Sequence, residues 1–364
     1  MATAPCAVAR LQGGSPFRAL DVIVIEKNSV VPSGIAPMIE YKAAKRSLMV
    51  FALLLSAAAA SAQPPPEKSA LPTENVTVSG TKSREVIQDF VNTFAARTQI
   101  MDKIARWETG ICPITEGLPL RDSMFVTQRL KEVAAKVGAP VSTDKTCKHN
   151  IEIVFTRTPQ ALLDNVKKDH ENFLGYHENA EQRDRLATVT HPIQAWYTTA
   201  TQDLNGFIQM DMSTTNSPGP GLMVQLPCYM MSAGLGQGGG MCVEYLPFAR
   251  KYNSTGNRLN SGLRSDFYNI IIAVDTNKVG QQELDSVSDY VALLALTQPA
   301  SLDICPPLSS IVSLLAKGCE GHAVRLTNSD MNYLEGLYKM NPEMTAGVQQ
   351  RQIANQMVQA LPDK

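Results

Sequence analysis

Apolar residues recur along this chain in two rhythms, and the switch from one to the other marks out its elements. Arg84–Thr98 carries Val86, Ile87, Phe90, Val91 and Phe94 at helical spacing and predicts an amphipathic helix. Asp122–Val137 repeats the pattern through Phe125, Leu130 and Val133, with Asp122 or Ser123 as its cap and Gly138 as its stop. Pro159–Lys168, with Leu162, Leu163 and Val166, predicts a third helix. Period-two alternation in Asn150–Thr156 predicts a strand. Further strands are expected over Lys103–Cys112 (with Trp107 half buried), His191–Thr199, Leu222–Met230, Met241–Leu246 and Asp266–Val274, and a short one over Val76–Val78. Gln281–Gln298 reads as one helix, apolar on nearly every face from Tyr290 onward, which is the pattern of a buried helix. Thr327 and Asp330 predict a capping box that opens a helix carrying Met331, Leu334 and Tyr338. Met344–Leu361 predicts a Gln-rich terminal helix that packs loosely. The order of elements implies an α+β fold.

The first 62 residues stand outside this pattern. Lys42, Lys45 and Arg46 precede an apolar run, Leu48–Ala60, and Ala60-Ser61-Ala62 supplies a small-x-small cleavage pattern. This order predicts a signal peptide over 38–62, with Met38 as the true start and 1–37 as an upstream artefact. The run falls short of the about 20 apolar residues of a membrane span. Residues 63–74 predict a Pro-rich tether, 75–345 a single globular domain, and 346–364 a terminal helix and tail. Periplasmic or secreted localisation follows, with no transmembrane segment in the mature chain.

Composition then narrows the partners. Of 33 Lys+Arg and 34 Asp+Glu, residues 1–62 hold six and three, which leaves a formal charge of −4 on the remainder. Mild acidity without a basic run argues against nucleic acid. Six cysteines follow residue 62, an even number that predicts three disulfides in an exported chain. Six cysteines allow 15 pairings. Pairing of sequence neighbours is favoured: Cys112–Cys147, Cys228–Cys242 and Cys305–Cys319. None of them forms CxxC, so zinc-ligand spacing is absent.

Candidate chemistry is sparse. Gly234, Gly236 and Gly239 form a G-x-G-x-x-G, but strand-like MCVEYLPF follows where a dinucleotide fold needs a helix, so a hairpin loop is expected. Ser79–Lys82 and Ser142–Lys145 match S-x-x-K without the companion motifs of a serine acylase. His170 and His177, with Asp169, Glu171 and Glu178 near them, could share a helix face and hold a metal; a solvated polar segment is the plainer reading. His149 lies beside Cys147, and Asp203 and Asp211 flank a short strand-like piece; neither spacing singles out acid/base work. Trp196, Tyr197, Tyr229 and Tyr245 either line a groove for sugar or peptide or fill the core.

The order of elements resembles that of uncharacterised secreted proteobacterial proteins with a zincin-like pattern. It runs from Arg106-Trp107 through a long helix, NIEIVFT, further strands and the buried helix to LSSIVSLL and LTNSDMNYLEGLY. Leu326-Thr327-Asn328-Ser329-Asp330 and Leu337-Tyr338 carry the likeness to a later metzincin helix. The resemblance implies a twisted mixed sheet with two long helices, the second bearing H-E-x-x-H-x-x-G-x-x-H. In that register Ser288 takes the first His position, Asp289 the Glu, Ala292 the second His, Ala295 the Gly and Gln298 the third His. Three imidazoles would be needed to hold zinc there. The expectation is therefore a non-catalytic exported protein without zinc or another cofactor, binding an unknown protein, peptide or glycan of the cell envelope. A hydrolase with another site, or a peptide or glycan module, is the alternative.

Overall fold

The computed structural model describes residues 80–144, 146–212, 221–227, 241–247, 252–319 and 321–361, with side chains described except at 80–82, 221–227 and 241–247. The expected signal peptide, the tether, Val76–Val78, Ser79, the Lys82 side chain, Lys145, the Gly234–Gly239 loop, Cys228, Tyr229 and the Cys242 and Tyr245 side chains lie outside that description. The helices are α1 (Gly80–Phe94), α2 (Leu120–Val137), α3 (Pro159–Asp169), α4 (Ala180–Leu186), α5 (Thr276–Val279), α6 (Leu284–Leu296), α7 (Asn328–Lys339) and α8 (Ala346–Gln359). Among them, none is long and apolar enough to cross a membrane. The strands are β1 (Pro113–Glu116), β2 (Ile151–Thr156), β3 (Ile193–Gln202), β4 (Ile208–Met210), β5 (Gly221–Pro227), β6 (Met241–Pro247) and β7 (Arg264–Asp275).

The main sheet is mixed, with order β1-β2-β7-β3-β4. β1, β2 and β7 run parallel, β3 is antiparallel to β7, and β4 to β3. β5 and β6 pair separately as an antiparallel ribbon, as expected for that stretch. Alternation in β2 sends Ile151, Ile153 and Phe155 into the larger core. β7 is covered on both faces, which is why NIIIAV shows no alternation in sequence. Its Ile270, Ile272 and Val274 join the larger core, while Ile271 and Ala273 join a smaller one with Leu163, Val166, Leu174 and Trp196. The register of β3 on β7 slips between Thr198 and Thr199, leaving Tyr268 as an extra, bulged residue.

α6 lies in the larger core, and every residue from Ser286 to Leu296 is buried. A helix so placed has no water for its last carbonyls, so side chains must supply the donors. The Trp107 indole donates to Ala295 O at 2.8 Å. The Tyr197 hydroxyl reaches Leu294 O and Thr297 O at 2.9 and 3.1 Å, and the Tyr338 hydroxyl donates to Leu296 O at 2.9 Å. Three aromatic donors from three distant segments thus cap one helix.

Several expectations are corrected. Lys103–Cys112 is not a strand: Arg106 and Ile111 make single bridges to Asp266 and Val141, and β1 starts at Pro113. The segment instead serves helix ends. Arg106 donates to Leu337 O, Tyr338 O and Met340 O at the end of α7, and Lys103 Nζ to Glu343 O and Met344 O. Trp107 is fully rather than half buried, as its capping role requires. α2 begins at Leu120 behind Pro119, without a side-chain cap; Ser123 bonds Leu118 O instead. Phe125 lies on the solvent side, and Val126 takes its place in the stripe. Gly138 does end α2, at φ 82°. The polar segment His170–Arg185 holds a 3-10 turn at Glu171–Leu174 followed by α4. α8 does not pack loosely: Ile353, Ala354 and Met357 are core residues, and Gln349 and Gln350 are buried.

Candidate binding groove

The residues placed in register with a zinc helix are committed to internal structure. Ser288 is buried and its hydroxyl donates to Leu284 O at 2.6 Å, one turn back. Ala292 packs in the core. Asp289 is buried beneath two guanidinium groups, accepting from Arg129 Nε at 2.6 Å and Arg325 Nε at 2.8 Å, and from the Leu326 amide at 3.1 Å. Burial pushes its carboxyl up, but these donors prevail and hold it below the usual carboxylate range. Gln298 lines a cavity.

That cavity is a half-open groove of about 300 Å³ beside β3. Gln194–Tyr197 and Thr199 form its strand wall. A second wall comes from Arg97–Gln99 and from Gln298, Pro299 and Leu302, just after α1 and α6. Backbone bonds from Ala96 N to Gln298 O and from Ala300 N to Phe94 O, with an Ala95–Pro299 bridge, hold these two exits together. Gly175, Tyr176, Arg185 and Thr188 close the other side. Gly175 has φ +94°, and a Cβ there would stand 2.7 Å from Tyr197 O, so close approach and backbone conformation both require glycine. The lining includes two arginines and no carboxylate.

Other sequence candidates separate in space or prove structural. His177 is buried, bonded to Glu171 through Nε2 at 2.8 Å and to Gly175 O through Nδ1 at 3.0 Å, while His170 is exposed and packs on Phe173. The expected shared helix face does not form, because α3 ends at Asp169 with His170 as its cap, and His177 follows a 3-10 turn and Gly175. No group of three His, Cys, Asp or Glu converges as a metal site among the described residues. Asp203 accepts the amides of Asn205, Phe207 and Asn253 and fixes the turn after β3. Asp211 accepts from the hydroxyls of Thr199 and Thr201. Cys112–Cys147 and Cys305–Cys319 are bonded as expected, and His149 Nδ1 lies 3.5 Å from Cys112 Sγ. Trp196 is buried and donates to Leu186 O, so the two strand aromatics support the groove wall rather than present stacking faces.

Sequence reasoning missed Arg97 and Arg185, which no motif marks, and Asp266. Asp266 is buried at the start of β7 with Oδ1 unpaired, as are Asn269 Oδ1 and Arg264 Nε. Burial and the nearby Glu108 raise the Asp266 carboxyl to about 7, against Arg264 and Arg106. Comparison with family models, with curated proteins and with solved structures finds no match for this chain.

Proposed function

We propose that this chain is a non-catalytic exported binding protein built on a zincin-like scaffold, and that its ligand occupies the groove beside β3. The observation that carries this reading is the use of the helix positions. Ser288, Asp289 and Ala292 are locked into helix, ion-pair and core contacts, whereas Gln298, which the expected helix included but which lies two residues beyond the end of α6 at Leu296, faces the groove. A zinc protease needs imidazoles and an open coordination position on that helix. Here the side chains are a hydroxyl, a methyl and an amide. The mixed sheet, with α2 and α6 packed on one face, supports the scaffold assignment. Two disulfides support a compartment outside the cytoplasm.

Metal analysis and a casein assay of the purified protein test this. Substoichiometric zinc and no cleavage are expected. Stoichiometric zinc together with cleavage abolished by a chelator overturns it.

A further inference from the structure

We propose that the groove takes an extended peptide segment bearing carboxylates, which pairs its backbone with the open edge of β3 while its acidic side chains meet Arg97 and Arg185. The inference rests on the binding reading above and names the ligand class of that site.

The edge follows from the ladder. Asp275 N–H donates to Pro192 O at 2.8 Å, so bonding toward β7 alternates through Gln194 and Trp196. Ile193, Ala195 and Tyr197 then turn their backbone groups away from β7. In keeping with this, Ile270, opposite Tyr197, gives its own N–H to Asn150 O at 2.9 Å on the β2 side. β4 covers only Ala200–Gln202, and the Asp211 amide takes Thr199 O. Gly175 abuts Tyr197 O. Among the described residues, the amide and carbonyl of Ala195 and the amide of Tyr197 are left as a short template, on the groove side, for an added strand.

Charge selects among extended ligands. Arg97 is steadied by Gln350 through Nη2 at 2.9 Å and pairs with exposed Asp102 at 3.5 Å. Arg185 pairs with exposed Glu181. Both acids lie outside the lining. Exposed pairs of this kind are weak, so a carboxylate entering the groove competes for either guanidinium. A glycan is disfavoured, since the Trp196 ring that would stack on it is buried.

The test uses the purified protein and four labelled hexapeptides: alternating Val and Glu, its Gln counterpart, its Lys counterpart, and the Glu peptide N-methylated at every amide. The Glu peptide is expected to bind at least tenfold tighter than the Gln peptide, with the N-methylated form at least tenfold weaker. Arg185→Glu, at an exposed site, lowers the preference, and Arg97→Glu with Arg185→Glu shifts it to the Lys peptide; unchanged melting curves confirm folding. Equal binding of Glu and Gln peptides, no binding of any, indifference to N-methylation, or an order unmoved by charge reversal overturns the proposal. Peptide binding without charge order leaves the binding reading standing, whereas zinc-dependent cleavage removes that reading itself.

Discussion

Arg129 Nε stands 2.6 Å from Asp289 Oδ1 and ties α2 to the middle of the buried helix α6. The second carboxylate oxygen accepts from Arg325 and the Leu326 amide, so one acid joins two helices to the segment that leads into α7. Arg325 extends the same contact to Asp285 one turn earlier. Asp289 is thus the centre of a structural clamp.

Asp289→Asn should therefore cost stability. It leaves two guanidinium groups over a buried site, but Arg129 and Arg325 are partly exposed and can turn to solvent, so the loss is expected at about 2–3 kcal/mol, below the usual range for a broken buried pair. Asp285→Asn removes only a half-exposed pair and should cost less than about 1 kcal/mol. Urea denaturation of both variants measures the difference.

The aromatic donors at the end of α6 make a second series. Tyr338→Phe keeps the ring in the core and deletes one hydroxyl, leaving Leu296 O buried without its donor. A loss of roughly 1–2 kcal/mol is expected. Tyr197→Phe orphans two carbonyls and should cost at least as much. Thermal melts of the two variants against the parent chain test the ranking.

These donors also show what the sequence could and could not convey. The burial of α6, the capping box at Thr327 and Asp330 and the strand NIEIVFT were legible because each is a local pattern. Thr327 accepts from Asp330 N, and the Asp330 carboxylate accepts from Thr327 N, within four residues. The segment around Trp107 was misread because its residues satisfy helix ends far away: Trp107 to Ala295 spans 188 positions. The groove was hidden for the same reason. Arg97, Arg185 and Gln298 come from three separate segments, after α1, within α4 and after α6, that the backbone bonds between 94–96 and 298–300 and the packing around Gly175 bring to β3.

The disulfides should matter unequally. Cys305–Cys319 closes 14 residues and Cys112–Cys147 closes 35. On loop-closure entropy, each contributes about 3–4 kcal/mol, slightly more for the longer loop. Cys112→Ser with Cys147→Ser is therefore expected to lower the melting temperature at least as much as Cys305→Ser with Cys319→Ser. Cys228–Cys242 is open to test by non-reducing mass spectrometry, where three bonds lower the mass by about 6 Da from the all-thiol value.

Asp266 gives the chain a pH dependence of definite sign. Burial, and then Glu108, raise its carboxyl to about 7 against the pull of Arg264 and Arg106, with Asp211 adding to the rise. An unfolded Asp titrates near about 3.9. The folded state thus holds this proton more tightly than the unfolded state. The resulting stability is fully present below the unfolded value and is lost as pH rises through about 7. The shift sets an upper bound of about 4 kcal/mol on the loss. Asp289 has the opposite sign, since its carboxyl lies below the usual range, so its contribution is lost only in acid. Between pH 5 and 8 Asp266 is therefore expected to dominate of the two, and the melting temperature to fall. Asp266→Asn keeps the shape of the neutral acid and does not titrate, so it should match the parent chain near pH 4 and flatten the decline between pH 5 and 8. Melting curves at half-unit steps check this, and a decline that persists undiminished in the variant assigns the pH dependence to another group.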